Sequence, residues 1–218
     1  MPLVNIHTHH QQPGGSIQLI NHLLQHAFPE HSDASYSSGL HPWHIRDTDS
    51  NALLEKLELL AAQNQIMAIG ECGLDRTIET PLQLQEELFI QQVELAERYQ
   101  KPLILHVVKS YPDIIRIKKS RKSSIPWILH AYQGNQQTTQ QLLAHDFYFS
   151  FGTQLLRKPQ KLQNSLRQIP LEKLFFETDD STEKIETIYI FAAQILGLTV
   201  TALQELVFNN YQRIFGND

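Results

Sequence analysis

Short apolar runs that end in a side chain able to bind metal recur along the chain. Such runs are typical of strands buried on both faces, as in a parallel sheet. Weaker candidates at 16–21, 34–39 and 147–152 bring the predicted strands to eight. The five clearest runs are 3–6 before His7 and His9, 66–70 before Glu71, 102–105 before His106, 127–129 before His130, and 174–176 before Glu177, Thr178 and Asp179.

The segments between the predicted strands have the spacing of amphipathic helices. In one such segment, the residues that share one face are Leu53, Leu54, Leu57, Leu60 and Ala61. Thr80 and Pro81 predict a helix start, with Thr80 as N-cap and Pro81 in the first turn. No helix is predicted between the first and third strands. Further helices are predicted at 110–119, 136–144, 159–167, 182–196 and 201–214.

This alternation predicts an α/β protein with parallel strands and right-handed crossovers. Eight such units favour a (β/α)₈ TIM-like barrel, trimmed between the first and third strands, and an open doubly wound sheet is the alternative. The barrel is favoured because each ligand-type residue follows a strand, and active sites of this fold lie at the C-terminal strand ends. The length of 218 residues predicts a single domain over 1–218.

Composition limits the partners and the compartment. With 18 basic and 23 acidic residues, the net charge of -5 gives no overall positive field that attracts nucleic acid. Cys72 is the only cysteine, so no intrachain disulfide forms and a reducing compartment is expected. The first residues lack a signal-peptide pattern, and polar residues interrupt the apolar stretch 185–203. We therefore expect a cytoplasmic monomer with no membrane partner.

The histidines and carboxylates at the strand ends predict a metal site. His7 and His9 are two residues apart, so their side chains point to the same face of a strand. Such a pair alone is often accidental. Imidazole and carboxylate ligands suit Zn²⁺, Mn²⁺ or other divalent ions, and a carboxylate such as Glu71 can bridge two of them. The residues expected to converge are His7, His9, Glu71, His106, His130 and Asp179.

The order of these motifs resembles the TatD family, whose members are barrel hydrolases related to amidohydrolases and include metal-dependent deoxyribonucleases. The resemblance extends over nearly the whole chain, to 209–216. The motifs that carry it are IHTH at 6–9, GLHP at 39–42, GECGLD at 70–75, LH at 105–106, LH at 129–130 with Gly134, and ETD at 177–179.

The resemblance implies two divalent ions, for which Zn²⁺, Mn²⁺ and Mg²⁺ are all open, and DNA as the substrate. It implies that Glu71 bridges the ions and that Asp179 accepts the proton of the attacking water. The first ion would be bound by His7, His9, Glu71 and Asp179, and the second by Glu71, His106 and His130.

The chain departs from the family pattern around the expected substrate site. The usual Ala-Pro loop after Asp179 is absent, and Asp180 is predicted to cap a helix directly. Two residues beyond His106 the family commonly has a basic residue, whereas here Val108 precedes Lys109. Lys109 is a candidate phosphate contact in place of that basic residue, and Arg46 and Arg76 are candidates because guanidinium groups bind phosphate bidentately.

Several other residues and functions have alternative interpretations. One interpretation is that His41 contacts the substrate or supports a metal ligand and that Trp43 stacks on a base; the other is that both residues form a structural turn fixed by Pro42. Cys72 is expected to pack as a small apolar residue, and the basic residues of 116–122 to form a solvated helix end. The alternative functions are hydrolysis of small amide, ester or phosphate substrates, and a barrel that binds metal or a partner without turnover.

Overall fold

The computed structural model describes residues 1–29, 33–157 and 159–216. Eight strands lie in one sheet in the order of the chain. They are β1 Val4–Thr8, β2 Ile17–Leu23, β3 Ser35–Gly39, β4 Ile66–Asp75, β5 Leu103–Val108, β6 Trp127–Leu129, β7 Phe147–Phe151 and β8 Leu174–Phe176. The helices are α1 Ser50–Ala61, α2 Leu82–Arg98, α3 Tyr111–Arg121, α4 Gln136–Leu143, α5 Gln154–Arg157, α6 Pro159–Gln168, α7 Ile185–Leu196 and α8 Val200–Phe215, with 3₁₀ turns at Pro42–His44 and Leu171–Lys173.

The (β/α)₈ barrel predicted from the sequence is confirmed. Every predicted strand forms, and pairings β1·β2, β3·β4, β4·β5 and β7·β8 are parallel. β1 also has a parallel bridge from Thr8 to Asp179, which brings the chain after β8 beside the first strand. Within the described residues no helix lies between β1 and β3, as predicted. The short α5 and the two 3₁₀ turns lack a sequence signal long enough to predict them.

The chain divides into two compact units, residues 1–20 with 129–218 and residues 21–128. In the first, buried polar groups join β1 to later elements. The Tyr189 hydroxyl of α7 donates to the Val4 carbonyl at 3.0 Å. The Asn5 amide donates to Thr178 Oγ1 at 2.8 Å, and its oxygen accepts from the Thr178 N–H at 3.0 Å. These bonds fix the segment after β8 against β1.

In the second unit, two glycines let β4 approach β5 closely. A Cβ on Gly70 would lie 2.4 Å from the Ile104 carbonyl oxygen, and one on Gly73 would lie 2.1 Å from that of His106. Both glycines have positive φ, +147° and +144°, which other residues rarely adopt. The two glycines that flank Glu71 in the sequence are thus required by strand packing.

Two predicted helix starts are wrong. Thr80 does not cap α2, because Pro81 is extended and occupies the N-cap position without a side-chain bond. The Gln85 amide instead donates to the Thr80 carbonyl at 2.7 Å and to that of Asp75 at 3.0 Å, which ties this segment to the end of β4. Asp180 does not cap α7, which begins at Ile185 after Lys184, and instead pairs with His10 at 2.7 Å.

In the described part of the chain, no single helix has the length and apolar character needed to cross a membrane. Among the helices of the described residues, the pair α7 and α8 passes such a test when taken together, and the two are bent by 106° at the break between them.

Replacing Gly73 by alanine tests the close approach of β4 and β5. We expect Gly73→Ala to lower the free energy of unfolding by about 2 kcal/mol or more, because the new Cβ meets the His106 carbonyl in a strained backbone conformation. The melting temperature should fall by roughly 4–8 °C. Gly15→Ala is the matched control, since nothing lies within 4 Å of its Cβ position. Equal melting temperatures for the two variants would contradict this explanation.

His22, a buried side chain of β2, should make stability depend on pH. Burial lowers its pKa below 6.5, and the nearby positive charge of Lys56 acts in the same direction. Below about pH 6.5 the unfolded chain therefore binds the proton more readily, and stability is lost as the pH falls towards the folded-state pKa. Above this range the imidazole is neutral in both states and has no effect.

Urea unfolding between pH 7.5 and 5.5 measures this effect. The wild type should lose more stability over this interval than His22→Asn. The variant His145→Asn controls for the removal of a histidine as such. An equal loss for wild type and His22→Asn would show that His22 does not set the dependence.

Candidate metal centre

In the first unit, four predicted ligands come together with one acidic residue that the sequence analysis did not include as a ligand. We call His7, His9, His130, Glu177 and Asp179 the His7 cluster. His7 lies in β1, and His9 and Asp179 follow β1 and β8. The Asp179 N–H donates to the His7 carbonyl and the His9 N–H to the Asp179 carbonyl, both at 3.0 Å. Backbone hydrogen bonds thus hold three ligand side chains next to one another.

The distances within this cluster fit one divalent ion. Asp179 Oδ1 lies 3.6 Å from His7 Nε2 and 3.5 Å from His9 Nε2, longer than good hydrogen bonds. Two ligands held at about 2.1 Å from one tetrahedral ion lie roughly 3.4 Å apart. The ligand atoms of these three residues all lie within 4.8 Å of one another. Two imidazoles and a carboxylate are also the donor types that Zn²⁺ and Mn²⁺ accept.

Glu177 orients His130 in the same cluster. Its Oε1 accepts from the Ala131 N–H at 2.6 Å and lies 3.3 Å from His130 Nδ1. The Glu177 side chain is fully buried and His130 is nearly so. The imidazoles of His7 and His130 lie with their centroids 4.6 Å apart. A carboxylate that binds one ring nitrogen sets the tautomer and leaves the other nitrogen for a metal.

In the second unit, the Glu71 cluster contains Glu71, His106, His41 and Asp75. Glu71 Oε1 lies 2.9 Å from His106 Nδ1 and 3.1 Å from His41 Nε2, which are hydrogen-bond distances. These three residues form a second group able to hold a metal ion. All four side chains are nearly buried. The structure contains both the predicted turn, in which the His41 side chain caps the 3₁₀ turn Pro42–His44, and a contact of His41 with the ligand candidate Glu71.

Asp75 anchors His106 and is itself held by three residues. Its Oδ2 lies 3.3 Å from His106 Nε2 and accepts from the Trp43 indole at 2.8 Å, while Oδ1 accepts from the Thr77 N–H at 2.8 Å. Burial alone would raise the pKa of Asp75, but the hydrogen bonds from Thr77, Trp43 and His106 outweigh it and lower the pKa. The side chain is thus held as a carboxylate.

The sequence analysis did not assign a role to Glu177 or Asp75, although both are close in sequence to predicted ligands. Glu177 directly follows β8, and Asp75 is the last residue of β4, in a motif already quoted for its glutamate. Their signal was an acidic residue at a strand end, which is the same signal that identified the ligands. The pattern does not distinguish an acid that binds metal from one that holds a histidine.

The predicted phosphate contacts are exposed, and the two arginines are paired with carboxylates. Arg76 binds Asp113 at 2.9–3.0 Å, and Arg46 binds Glu79. Lys109 is exposed.

Cys72 is fully buried, and burial raises the pKa of its thiol, so it packs as an apolar residue. The cluster near 116–122 includes Arg116 and Arg121, both paired with glutamates.

Sequence comparisons relate the chain to one family. The family described as "TatD related DNase" matches residues 7–216. An uncharacterized metal-dependent hydrolase of Escherichia coli K12, YcfH, is 28% identical over 206 residues, which cover 87% of this chain and 76% of YcfH. The 3'-5' ssDNA/RNA exonuclease TatD of the same organism is 31% identical over 155 residues, which cover 69% of this chain and 59% of that protein.

Solved structures share the fold. The crystal structure of YjjV, a TatD homologue from Escherichia coli, matches with a TM-score of 0.85 at 19% identity, covering 99% of this chain and 98% of YjjV. A TatD family hydrolase from Entamoeba histolytica matches with a TM-score of 0.78 at 16% identity, covering 99% of each chain. At these identities the likeness establishes the barrel fold alone.

Replacing Glu177 by glutamine tests whether its carboxylate orients His130. We expect Glu177→Gln to lower the affinity for Zn²⁺ or Mn²⁺ by about 10- to 100-fold, the usual effect of losing such a partner. Isothermal titration of the metal-stripped protein measures the affinity. The exposed Glu172→Gln is the matched control for loss of a negative charge. Unchanged affinity in a folded Glu177→Gln protein would contradict the role.

Proposed function

Because the chain belongs to the TatD-related DNase family and is a metal-dependent hydrolase, we propose that it cleaves phosphodiester bonds in DNA. The observation that carries this proposal is the triangle of His7, His9 and Asp179. Its nitrogen–oxygen separations of 3.5 and 3.6 Å suit coordination of one ion better than hydrogen bonding. A relative named as a 3'-5' ssDNA/RNA exonuclease supports a nucleic-acid substrate.

The two clusters are proposed to work as one centre with two divalent ions. His7, His9, Glu71 and Asp179 would hold one ion, and Glu71, His106 and His130 the other, with Glu71 as the bridge. Strand order supports this proposal: His7, Glu71 and His106 lie within parallel strands of one sheet, whereas the other three ligand candidates, His9, His130 and Asp179, follow such strands. Barrel active sites gather at the C-terminal ends of these strands. Zn²⁺, Mn²⁺ and Mg²⁺ remain candidates, because nitrogen and oxygen ligands accept all three.

Different residues of the chain have different proposed roles in the reaction. Bound ions would supply activation of a water molecule and polarisation of the bond to be cleaved. Asp179 would accept the proton of that water: its side chain is 28% exposed, so solvent reaches it, while backbone hydrogen bonds to His7 and from His9 hold the residue in place. Glu177 and Asp75 would keep His130 and His106 in the orientation that the reaction needs.

Hydrolysis of small ester, amide or phosphate substrates is the second candidate function. It is favoured by the ion pairs of Arg46 with Glu79 and Arg76 with Asp113, because both guanidinium groups already have a carboxylate partner. The net charge of -5 also gives no general attraction for DNA. A small substrate needs neither an arginine clamp nor a positive surface.

Cleavage of end-labelled single- and double-stranded DNA by purified protein distinguishes these functions. We expect cleavage that requires Mg²⁺, Mn²⁺ or Zn²⁺ and that falls by roughly 100-fold or more in Glu71→Gln, which loses the proposed bridging charge. Glu205→Gln, an exposed change on α8, should retain wild-type activity.

The outcome also tests the second candidate. If folded, metal-loaded protein cleaves no DNA with any of the three ions, the nuclease proposal fails. Hydrolysis of 4-nitrophenyl esters or phosphate monoesters by the same sample would then support the small-substrate function.

A further inference from the structure

Trp43 is a large apolar side chain left in solvent beside the Glu71 cluster. The chain has two tryptophans. Trp127 is fully buried, whereas Trp43 is 55% exposed. Aromatic rings normally stabilise a fold by being buried, but more than half of the surface of this indole makes no such contact.

The exposed ring is nevertheless held in place at both ends. Its indole N–H donates to Asp75 Oδ2 at 2.8 Å, and its backbone N–H donates to His41 Nδ1 at 3.1 Å. Asp75 is 1% exposed and contacts His106, and His41 contacts Glu71. The two residues that fix Trp43 are therefore the same two that hold the metal-ligand candidates of this unit.

Neighbouring rings contact Trp43 in edge-to-face geometry. The centroid of His41 lies 4.8 Å away at 78°, and that of His106 lies 5.5 Å away at 76°. With more than half its surface in solvent, the indole retains area for another planar group. Because its orientation is already fixed, a ligand that stacks on it meets a preorganised surface.

We propose that Trp43 stacks on an unpaired base of the nucleic-acid substrate beside the Glu71 cluster, and so selects single strands over duplex. This inference rests on the proposed phosphodiesterase function. Every base has a π-face, so stacking tolerates any sequence, but a base within a duplex is already stacked on its neighbours. DNA and RNA share this chemistry, and separate oligonucleotides distinguish them.

The first test is a comparison of substrates with and without bases. On single-stranded oligonucleotides, Trp43→Leu should lower kcat/KM by about 5- to 150-fold, the range for one stacked base, and Trp43→Phe by less because it keeps a ring. On an abasic oligomer with the same phosphate backbone, wild type and both variants should react equally. An equal loss on the abasic oligomer would mean that Trp43 only supports the structure, which overturns the proposal.

The second test reads binding without turnover. In Glu71→Gln protein with Mg²⁺, oligothymidylate and oligouridylate are titrated while tryptophan fluorescence is followed. Trp127 is fully buried, so quenching reports on Trp43. Quenching by either oligomer, together with much weaker quenching by a hairpin duplex, supports stacking and identifies the preferred strand. No quenching, or equal quenching by the duplex, overturns it.

The two tests separate this inference from the function on which it rests. If wild type cleaves neither DNA nor the abasic oligomer, the phosphodiesterase function fails, whatever the fluorescence result. If wild type cleaves both and Trp43→Leu leaves kcat/KM unchanged on DNA, only the role of Trp43 fails.

Discussion

Burial of carboxylates in β4 and directly after β8 is the constraint on which the candidate centre depends. Glu71, Asp75 and Glu177 are 5%, 1% and 0% exposed. A buried carboxylate is costly unless it receives hydrogen bonds or a positive partner. Each of these acids lies next to a histidine, so the histidines serve both as partners for the acids and as candidate metal ligands. These two roles of the histidines explain why histidines and carboxylates lie together in this part of each unit.

The packing of the backbone also brings the carboxylates and histidines together. Gly70 and Gly73 allow β4 to lie against β5, so that Glu71 and His106 come within hydrogen-bond distance. In the first unit, Asn5 and Thr178 join β1 to the segment after β8, which carries Asp179. Residues without any reactive group therefore determine which reactive groups meet.

Five of the strands, and the residues proposed as metal ligands, were predicted together because an apolar run leads into a histidine or an acid. The run identifies a buried strand but not its end, since β4 continues past Glu71 to Asp75. The helix starts at Thr80 and Asp180 were wrong because other hydrogen bonds compete with capping: the Gln85 amide donates to the Thr80 carbonyl, and the Asp180 carboxylate accepts from His10. The roles of Asp75 and Glu177 depend on which ring nitrogen each oxygen faces, and no sequence pattern carries that information.

The positive charges of the chain do not by themselves explain how a substrate would be recognised. The arginines nearest the strand-end motifs are paired with acids, and the chain is acidic overall. For the proposed phosphodiester substrate, bound ions would supply affinity at the bond to be cleaved. Discrimination between substrates needs a second, uncharged contact, and a fixed, half-exposed indole is such a contact. An enzyme built in this way depends less on salt than one that binds the phosphate backbone through many cations.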